Sequence, residues 1–437
     1  MNLKKENFRF KRSKEVLHAK FNIENGGNLI MYLIPPKFSF KERSSTLILN
    51  NQNVIPVGAS WYVIISNFMN CLNEYNKNLN KDEIKKIIQK TVNMTKMVYP
   101  AVDRKLITQD TKLIVKVFEE FAIGNTPKEN IGQISTNVYL KNMDGPYLVN
   151  MVFDKSFESY NLCLNRENDY VIEKDLLDDV HINKVISKLK DYRVSQLNFV
   201  CNDNLQKERI INIINKSRWF YTMFSTSRVC FDEIEASKLK EFSLDQIDYT
   251  IYSVREDINR KIDDTQDLES IKKSIKILTD EGLNVHVKYP ICKLNTNFEE
   301  MFSYLKSVNV LYVKICLYNL VDKDNRYSLE EYFELIKEAK EIAKKYNINI
   351  QILTNDIPNH SFDKIEGILK LGCRPTVTEL TLLMDGSILP CKSYISKKQI
   401  IGNVFKDNWK EIWKKSEKAN NIRKNNTNIN CGCPLDI

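Results

Sequence analysis

Apolar residues follow one rhythm in the first third of the chain and another after residue 146. In the first part, short apolar runs predict strands at 28–34, 45–51 and 53–58. Three stretches with apolar residues three or four positions apart predict helices at 59–75, 81–91 and 108–121. Asn80 and Thr108 are the predicted N-caps of the second and third helices. The first part is therefore predicted to be a small α+β domain.

After residue 146, apolar runs alternate with helical patterns. The six apolar runs lie at 147–153, 195–201, 219–225, 248–254, 284–290 and 310–316. Helical patterns lie near 174–190, 205–217, 233–241, 266–281, 298–306 and 328–345. Parallel strands need crossover connections, which are normally right-handed, so six such units predict a parallel sheet curled into a partial (β/α)6 barrel. Its functional face is expected at the carboxyl ends of the strands.

Four cysteines in the tail have a spacing that suggests one shared site. Cys373 and Cys391 flank Asp385-Gly386, which is a hairpin signal between the apolar runs ELTLLM and SILP. Cys431 and Cys433 follow after a turn and a helical pattern. Four thiolates can enclose a zinc ion or an iron–sulfur cluster. The alternative is that the four cysteines are unrelated and two of them are buried as small apolar residues.

The composition indicates where these thiols act. The amino-terminal stretch MNLKKENFRFKRSKEVLHAK is too charged for a secretory signal, and no apolar run approaches the roughly 18 residues of a membrane-spanning helix. We therefore expect a cytoplasmic protein with no membrane partner, whose ten cysteines are poor disulfide candidates. The net charge of +9 favours acidic partners only weakly, and no basic block is interleaved with aromatic residues, so no nucleic-acid partner is expected.

The tail motif resembles a known cysteine-rich extension. The spacing Cys373-x12-Gly386-x4-Cys391, the run IIGNVFKDNWKEIW at 400–413 and the terminal cysteine pair resemble the SPASM or shorter twitch extension of radical SAM peptide maturases. The resemblance implies one auxiliary four-iron four-sulfur cluster, because the full pattern has further cysteines, and the Cys-x-Cys ending departs from the usual Cys-x-x-Cys. It also implies a radical SAM-type partial barrel over 146–355 and a SPASM or twitch-like extension over 356–437.

The motifs of the family's catalytic cluster are missing. Such enzymes hold that cluster through a CxxxCxxC loop after the first barrel strand, where this chain has SFESYNLC at 156–163. Ser156 and Tyr160 occupy the first two cysteine positions, and only Cys163 remains. The GGEP-like run after the second strand is replaced by FVCNDN at 199–204, so the glycines are absent.

One further residue fits the resemblance. Ser253 follows the fourth predicted strand, where the family often has a serine near the cofactor. Cys163 and Ser253 are therefore the candidate remnants of a pocket for S-adenosylmethionine and its cluster, and binding of S-adenosylmethionine itself is doubtful.

The front of the chain shows a second resemblance. Strands followed by three helices, with PVGASWYVIISNFMNCLNEYNKNLNKDEIKKIIQK at 56–90, are similar to the winged-helix-like peptide-recognition domain of ribosomal-peptide maturases. The resemblance implies that residues 1–130 bind a leader peptide as an added strand at a sheet edge. A plain structural domain is the alternative.

Together these features predict a degenerate radical SAM/SPASM-type protein of a peptide-maturation system. It would keep the tail cluster, lack the catalytic cluster and bind a precursor peptide or a partner maturase. The alternatives are an active radical SAM peptide-modifying enzyme with one auxiliary cluster, and a zinc-stabilised binding protein. The four histidines are isolated in sequence and are expected to be surface or hydrogen-bonded residues, and Cys71, Cys201, Cys230, Cys292 and Cys316 are expected in the core.

Overall fold

The computed structural model divides the chain into two compact units, residues 1–143 with 366–369 and residues 144–365 with 370–437. The residues whose structure is described are 17–24, 28–34, 44–49, 53–75, 78–123, 127, 129, 131, 145–155, 170–172, 178–192, 194, 196–218, 220–317, 323–353, 375–428 and 435. None of the helices in these ranges is long and apolar enough to cross a membrane.

The first unit contains a four-stranded antiparallel sheet followed by three helices. In spatial order the strands are β1 (Leu17–Asn22), β2 (Asn28–Ile34), β3 (Ser44–Leu49) and β4 (Asn53–Gly58). The helices are α1 (Ala59–Leu72), α2 (Lys81–Val98) and α3 (Arg104–Ala122). Buried apolar side chains from all seven elements form one core. Strand β1 was not predicted, because His18 and Lys20 interrupt its apolar positions.

The helix starts test the two predicted N-caps. Asn80 caps α2 as predicted, because its side chain accepts the backbone N–H groups of Asp82 at 3.1 Å and Glu83 at 3.0 Å. The prediction of Thr108 was wrong: α3 begins one turn earlier, with Asp103 as its N-cap. Thr108 lies inside α3, where its hydroxyl donates to the Arg104 carbonyl at 2.8 Å.

The second unit contains a ten-stranded sheet. In chain order its strands are β5 (Leu148–Val152), β6 (Gln196–Val200), β7 (Tyr221–Thr226), β8 (Gln246–Thr250), β9 (Val285–Ile291), β10 (Tyr312–Leu317), β11 (Asn349–Ile352), β12 (Glu379–Leu383), β13 (Ser387–Leu389) and β14 (Gly402–Asn403). Its helices are α4 (Asp179–Asp191), α5 (Lys207–Lys216), α6 (Glu233–Glu241), α7 (Glu256–Ile262), α8 (Leu268–Asp280), α9 (Phe298–Ser307), α10 (Leu329–Tyr346), α11 (Trp409–Lys415) and α12 (Glu417–Asn428).

The strand order confirms the predicted α/β architecture. The spatial order is β11-β10-β9-β8-β7-β6-β5-β12-β13-β14, and each neighbouring pair from β11 to β12 is parallel. Strands β5 to β10 therefore follow one another as in the predicted partial (β/α)6 barrel. The largest offset is at β8, predicted at 248–254 and found at Gln246–Thr250. Strand β11 and helix α7 were not predicted.

The two faces of this sheet differ in polarity. One face packs against helices: the Tyr289 ring of β9 lies 6.0 Å from that of Phe298 in α9, and the buried Tyr249 hydroxyl of β8 lies 2.9 Å from Ser274 Oγ in α8. Because side chains alternate along a strand, the intervening residues share the opposite face. That side, called the polar face below, carries Asn150, Asn198, Ser225, Gln246, Asp248, His286, Lys288, Lys314 and Glu379.

The tail extends the same sheet. Strand β12 lies parallel to β5, and the chain then reverses at Asp385-Gly386 into the antiparallel strand β13, which confirms the predicted hairpin. Gly386 has φ +83°, in the left-handed region that favours glycine. A Cβ on Gly386 would also lie 2.5 Å from the Phe405 ring. Trp409 and Trp413 are both buried along α11.

Candidate functional site

The Asp154 carboxylate connects the carboxyl ends of β5 and β6. Asp154, two residues after β5, accepts the backbone N–H groups of Asn202 at 2.9 Å and Asp203 at 3.1 Å. The Cys201 thiol donates to the same carboxylate at 3.3 Å. Asp154 is only 7% exposed, so these contacts are shielded from solvent. The amides after β6 are thus satisfied within the protein, at the edge where the functional face was expected.

Further polar contacts follow the same edge of the sheet. The Asn202 side-chain oxygen accepts the backbone N–H of Ser227 at 2.7 Å and its hydroxyl at 3.0 Å, which joins the ends of β6 and β7. Ser253 lies buried three residues after β8, and its hydroxyl oxygen accepts the N–H of Arg255 at 3.1 Å. This contact forms the turn before α7, and a cofactor role for Ser253 stays a prediction.

Three cysteines also follow strands at this edge: Cys201 after β6, Cys230 after β7 and Cys292 after β9. Burial, reinforced by the Asp154 carboxylate, raises the pKa of the Cys201 thiol far above its usual range. Burial also raises the pKa of Cys230 to about 11 and that of Cys292 above its ordinary value. All three are therefore protonated near neutral pH, unlike reactive or metal-bound cysteines.

The cysteines predicted for the core mostly lie there. Cys71, Cys201, Cys292 and Cys316 are buried. The prediction was wrong for Cys230, which is only partly buried because it follows the end of β7 at the sheet edge. The predicted site residue Cys163 lies outside the described residues, together with Ser156 and Tyr160.

In the tail, the chain segments that adjoin the predicted cysteine ligands lie close to one another. Cys391, two residues after β13, is buried in a small cluster with Ile422 of α12 and with Leu435. Leu435 is two positions beyond Cys433 and four beyond Cys431. Leu435, the described residue nearest in sequence to the terminal cysteine pair, therefore packs beside Cys391.

The segment after Cys373 contacts the same helix. The Thr376 hydroxyl donates to the Ala419 carbonyl of α12 at 3.3 Å, and the Arg423 guanidinium donates to the Thr376 carbonyl at 2.7 Å. Arg423 also lies over the Trp413 ring, 4.4 Å from its centroid. Helix α12 thus holds the residues after Cys373 and, through Ile422, the surroundings of Cys391.

The four cysteines suit a metal centre by their donor chemistry, since thiolate sulfur is the usual ligand of zinc and of iron–sulfur clusters. Cys373, Cys431 and Cys433 lie outside the described residues. Within the described ranges, no three histidine, cysteine or carboxylate side chains converge as metal ligands. The ligand set therefore stays a prediction, supported by the convergence of its flanking segments on α12.

A chain of hydrogen bonds crosses four strands of the polar face. Ser225 Oγ donates to Asn198 Oδ1 at 2.8 Å, and Asn198 Nδ2 donates to Asn150 Oδ1 at 2.9 Å. Asn150 Nδ2 then donates to Glu379 Oε2 of β12 at 3.3 Å. Strands buried on both faces of a parallel sheet are usually apolar throughout, so this chain distinguishes the polar face from an ordinary core.

The charged part of the polar face lies on β8, β9 and β10. Lys314 Nζ lies 2.5 Å from Asp248 Oδ2, and Gln246 Nε2 donates to Asp248 Oδ1 at 2.5 Å. Burial raises the pKa of Asp248, but the charges and hydrogen bonds of its neighbours Lys314, His286 and Gln246 together outweigh burial and hold that pKa below its usual value. His286 stacks on Tyr312 with ring centroids 4.7 Å apart, and its Nδ1 lies 3.8 Å from Asp248 Oδ1.

This charged group was not predicted from the sequence. His286 was interpreted as an isolated histidine, yet the strand register places it beside Asp248, 38 positions earlier in the chain. The signal was present in the strands QIDYT, VHVKYPI and YVKICL, where a polar residue recurs at every second position. A period of two in a parallel strand indicates one polar face.

The fold and the tail define an α/β protein with a sequentially ordered parallel sheet and a cysteine-bearing C-terminal extension. Residues 373–434, which include all four tail cysteines, match the family model of SPASM, an iron–sulfur cluster-binding domain. No curated protein sequence matches the chain.

Solved structures of SuiB from Streptococcus suis have the same fold. SuiB bound to its precursor peptide SuiA matches with a TM-score of 0.56 at 12% sequence identity, covering 94% of this chain and 89% of SuiB. SuiB bound to S-adenosylmethionine matches with a TM-score of 0.57, at the same identity and coverage. A further SuiB structure matches with a TM-score of 0.56 at 13% identity, covering 94% and 90%. The family match confirms the predicted resemblance of the tail to a SPASM extension, and the SuiB structures show that the chain shares their fold.

Proposed function

We propose that this chain is a radical SAM/SPASM-type protein that binds a precursor peptide, holds one tail iron–sulfur cluster and does not cleave S-adenosylmethionine. In this proposal residues 1–130 recognise the peptide, residues 146–355 form the barrel and residues 356–437 form the cluster-binding extension. The SPASM match over all four tail cysteines is the observation that carries the proposal. A partner maturase would supply the chemistry on the bound peptide.

Peptide binding is supported by the first unit and by the fold of SuiB, which has been solved with a precursor peptide. Within the described residues, β1 and β4 are the two edges of the four-stranded sheet. Strand β4 contains Pro56, which has no backbone N–H to offer. The end of β1 is already bonded to Leu79, whose N–H donates to the Asn22 carbonyl at 2.8 Å. We therefore place the added peptide strand along Leu17–Phe21.

Loss of the catalytic cluster is supported at the carboxyl edge. Ser156 and Tyr160 replace two thiolates, and neither side chain is a usual ligand of an iron–sulfur cluster. Asp154 binds the amides of the CNDN stretch, where the resemblance implies backbone that approaches S-adenosylmethionine. The nearby thiols of Cys201, Cys230 and Cys292 are poor replacements, because burial raises the pKa of each.

The tail cysteines would hold a cluster whose chemistry is electron transfer. Cys373, Cys391, Cys431 and Cys433 supply four thiolates, the number that a four-iron cluster accepts. A positive group near Cys391 favours a cluster with negatively charged ligands: Arg423 directly follows Ile422, which packs against Cys391.

Anaerobic reconstitution should give about four irons and four sulfides per chain, with a broad visible absorption. Replacing Cys391 with Ala should remove most of the iron, because it removes one of the four thiolates proposed to hold the cluster. Iron and sulfide analysis of the purified protein measures both results.

Cys316→Ala is the matched control, because Cys316 is equally buried but lies in β10, away from the tail. It should retain the full iron content. Zinc without iron in the wild-type protein would contradict the cluster and leave a zinc-stabilised binding protein.

Proline substituted into the leader of a precursor peptide encoded beside the gene should weaken its binding about tenfold or more. Strand addition depends on backbone hydrogen bonds, and proline removes a donor while fixing φ. Fluorescence anisotropy of the labelled peptide with the full-length protein measures the affinity. Alanine at the same position should bind as the parent does. Equal binding of all proline variants would rule out strand addition.

A further inference from the structure

We propose that Asn73 sets the register of the peptide strand at the β1 edge. Its side-chain amide occupies the His18 carbonyl, which leaves the Lys20 carbonyl as the acceptor for a peptide N–H. This inference rests on the proposed function, because it concerns how the precursor peptide binds beside β1. Asn73 acts through the backbone of β1 and is therefore a positioning residue.

The backbone of β1 has one edge paired with β2 and one edge on the other side. On that other edge, Leu79 donates its N–H to the Asn22 carbonyl at 2.8 Å and accepts the Glu24 N–H at 3.2 Å. These two bonds form a parallel bridge between Leu79 and Ile23. The Asn22 carbonyl therefore points away from β2, and Leu79 already adds one strand residue to this edge.

The alternation of the strand extends this orientation to Lys20 and His18. In an antiparallel pair, successive residues alternately bond to the partner strand and point away from it. His18, Lys20 and Asn22 are two positions apart, so their three carbonyls lie on the same edge. Asn73, the C-cap residue of α1, donates its Nδ2 to the His18 carbonyl at 3.3 Å, which agrees with this assignment.

Two of the three carbonyls on this edge are bonded within the protein. The Asn73 amide occupies that of His18, and the Leu79 N–H occupies that of Asn22. The carbonyl of Lys20, an exposed residue, has no partner on this edge among the residues that the structure describes. An unpaired strand edge is a template for pairing with another chain, so a peptide beside β1 has one carbonyl to which it can donate.

The position of Asn73 is fixed by the helix that it ends. Its backbone N–H donates to the Met69 carbonyl of α1 at 3.1 Å. The next residue, Glu74, forms an ion pair with Lys90 of α2. Because its backbone is held on both sides, the Asn73 amide stays beside β1 and competes with a peptide for the His18 carbonyl.

A single available acceptor fixes the register of the peptide. In either strand direction one peptide N–H bonds to Lys20, whereas the N–H groups two residues away face carbonyls that are occupied. Removing the Asn73 amide would free the His18 carbonyl for a second peptide N–H. That second donor lies two residues before the first in a parallel addition and two residues after it in an antiparallel addition.

N-methyl groups placed one at a time along the leader of the precursor peptide locate these donors, because each removes a single backbone N–H. With the full-length wild-type protein, one N-methyl position should weaken binding about tenfold. With Asn73→Ala, a second position two residues away should become equally sensitive. The unmodified peptide should bind this variant about threefold more tightly, because it gains a backbone hydrogen bond. Fluorescence anisotropy of the labelled peptides measures each affinity.

Asn73→Asp keeps the size of the side chain but cannot donate to a carbonyl, so it should give the same pattern as Asn73→Ala. Asn93→Ala is the matched control, because this exposed asparagine of α2 bonds to Arg104, and it should keep the wild-type pattern. An unchanged N-methyl pattern in both Asn73 variants, with or without weaker binding, would identify Asn73 as a structural residue and overturn the positioning role. If the wild-type protein bound no peptide, the proposed function would fail as well.

Discussion

The reconstituted protein, given dithionite and S-adenosylmethionine, is expected to yield no 5′-deoxyadenosine above the protein-free control. Reductive cleavage needs an iron with an open coordination position, held by three thiolates at the carboxyl edge of the barrel. Ser156 and Tyr160 remove two of these ligands, and only Cys163 remains. Liquid chromatography of the quenched reaction measures the nucleoside, and an active radical SAM enzyme in the same buffer is the positive control.

The double variant Ser156→Cys/Tyr160→Cys separates ligand loss from pocket loss. It recreates the CxxxCxxC spacing with Cys163, so its iron content should rise from about four to about eight per chain. Its 5′-deoxyadenosine yield should stay at the control level, because Asp154 still binds the amides of Asn202 and Asp203. Multiple turnovers by the unmodified protein would make the chain an active radical SAM enzyme instead.

The parallel sheet was predictable because its strands are apolar on the helix-facing side and are separated by well-capped helices. Asp232 and Ser328 form capping boxes at the starts of α6 and α10, and these helices were predicted almost to the residue. Thr108 was wrongly predicted as the N-cap of α3 because it directly precedes the apolar positions of that helix. The actual N-cap is Asp103, whose side chain accepts the backbone N–H of Lys105 at 2.9 Å. Local competition between two capping residues is not resolved by periodicity alone.

The charged part of the polar face was not predictable by the same reasoning. Asp248 and Lys314 are 66 positions apart, and only the register of β8, β9 and β10 makes them neighbours. A single sequence shows which residues alternate, but it does not show which strands are adjacent. The tail site was predictable, because its signal is the sequence spacing of Cys373, Gly386 and Cys391. That spacing matches a known pattern, and no knowledge of strand neighbours is needed to recognise it.

Replacing Asp248 with Asn is expected to lower the opening free energy of β8, β9 and β10 by about 3–5 kcal/mol. The change keeps the shape of the side chain, but it leaves the Lys314 ammonium, 13% exposed, without its carboxylate. Hydrogen exchange of peptides that cover the three strands measures the loss locally, which matters because the chain has two compact units.

Two comparisons test whether the loss arises from the buried pair. Asp280→Asn breaks the exposed pair with Lys276, whose side chains are 59% and 61% exposed, and should cost no more than about 0.5 kcal/mol. Adding Lys314→Met to Asp248→Asn should restore much of the stability, because the uncompensated ammonium is then gone. In the wild-type protein the lowered pKa of Asp248 means that its contribution is present above the usual carboxyl pKa of about 3.9 and disappears as the pH falls through the lower folded value. An Asp248→Asn effect as small as that of Asp280→Asn, with no recovery in the double variant, would show that the pair does not hold the three strands together.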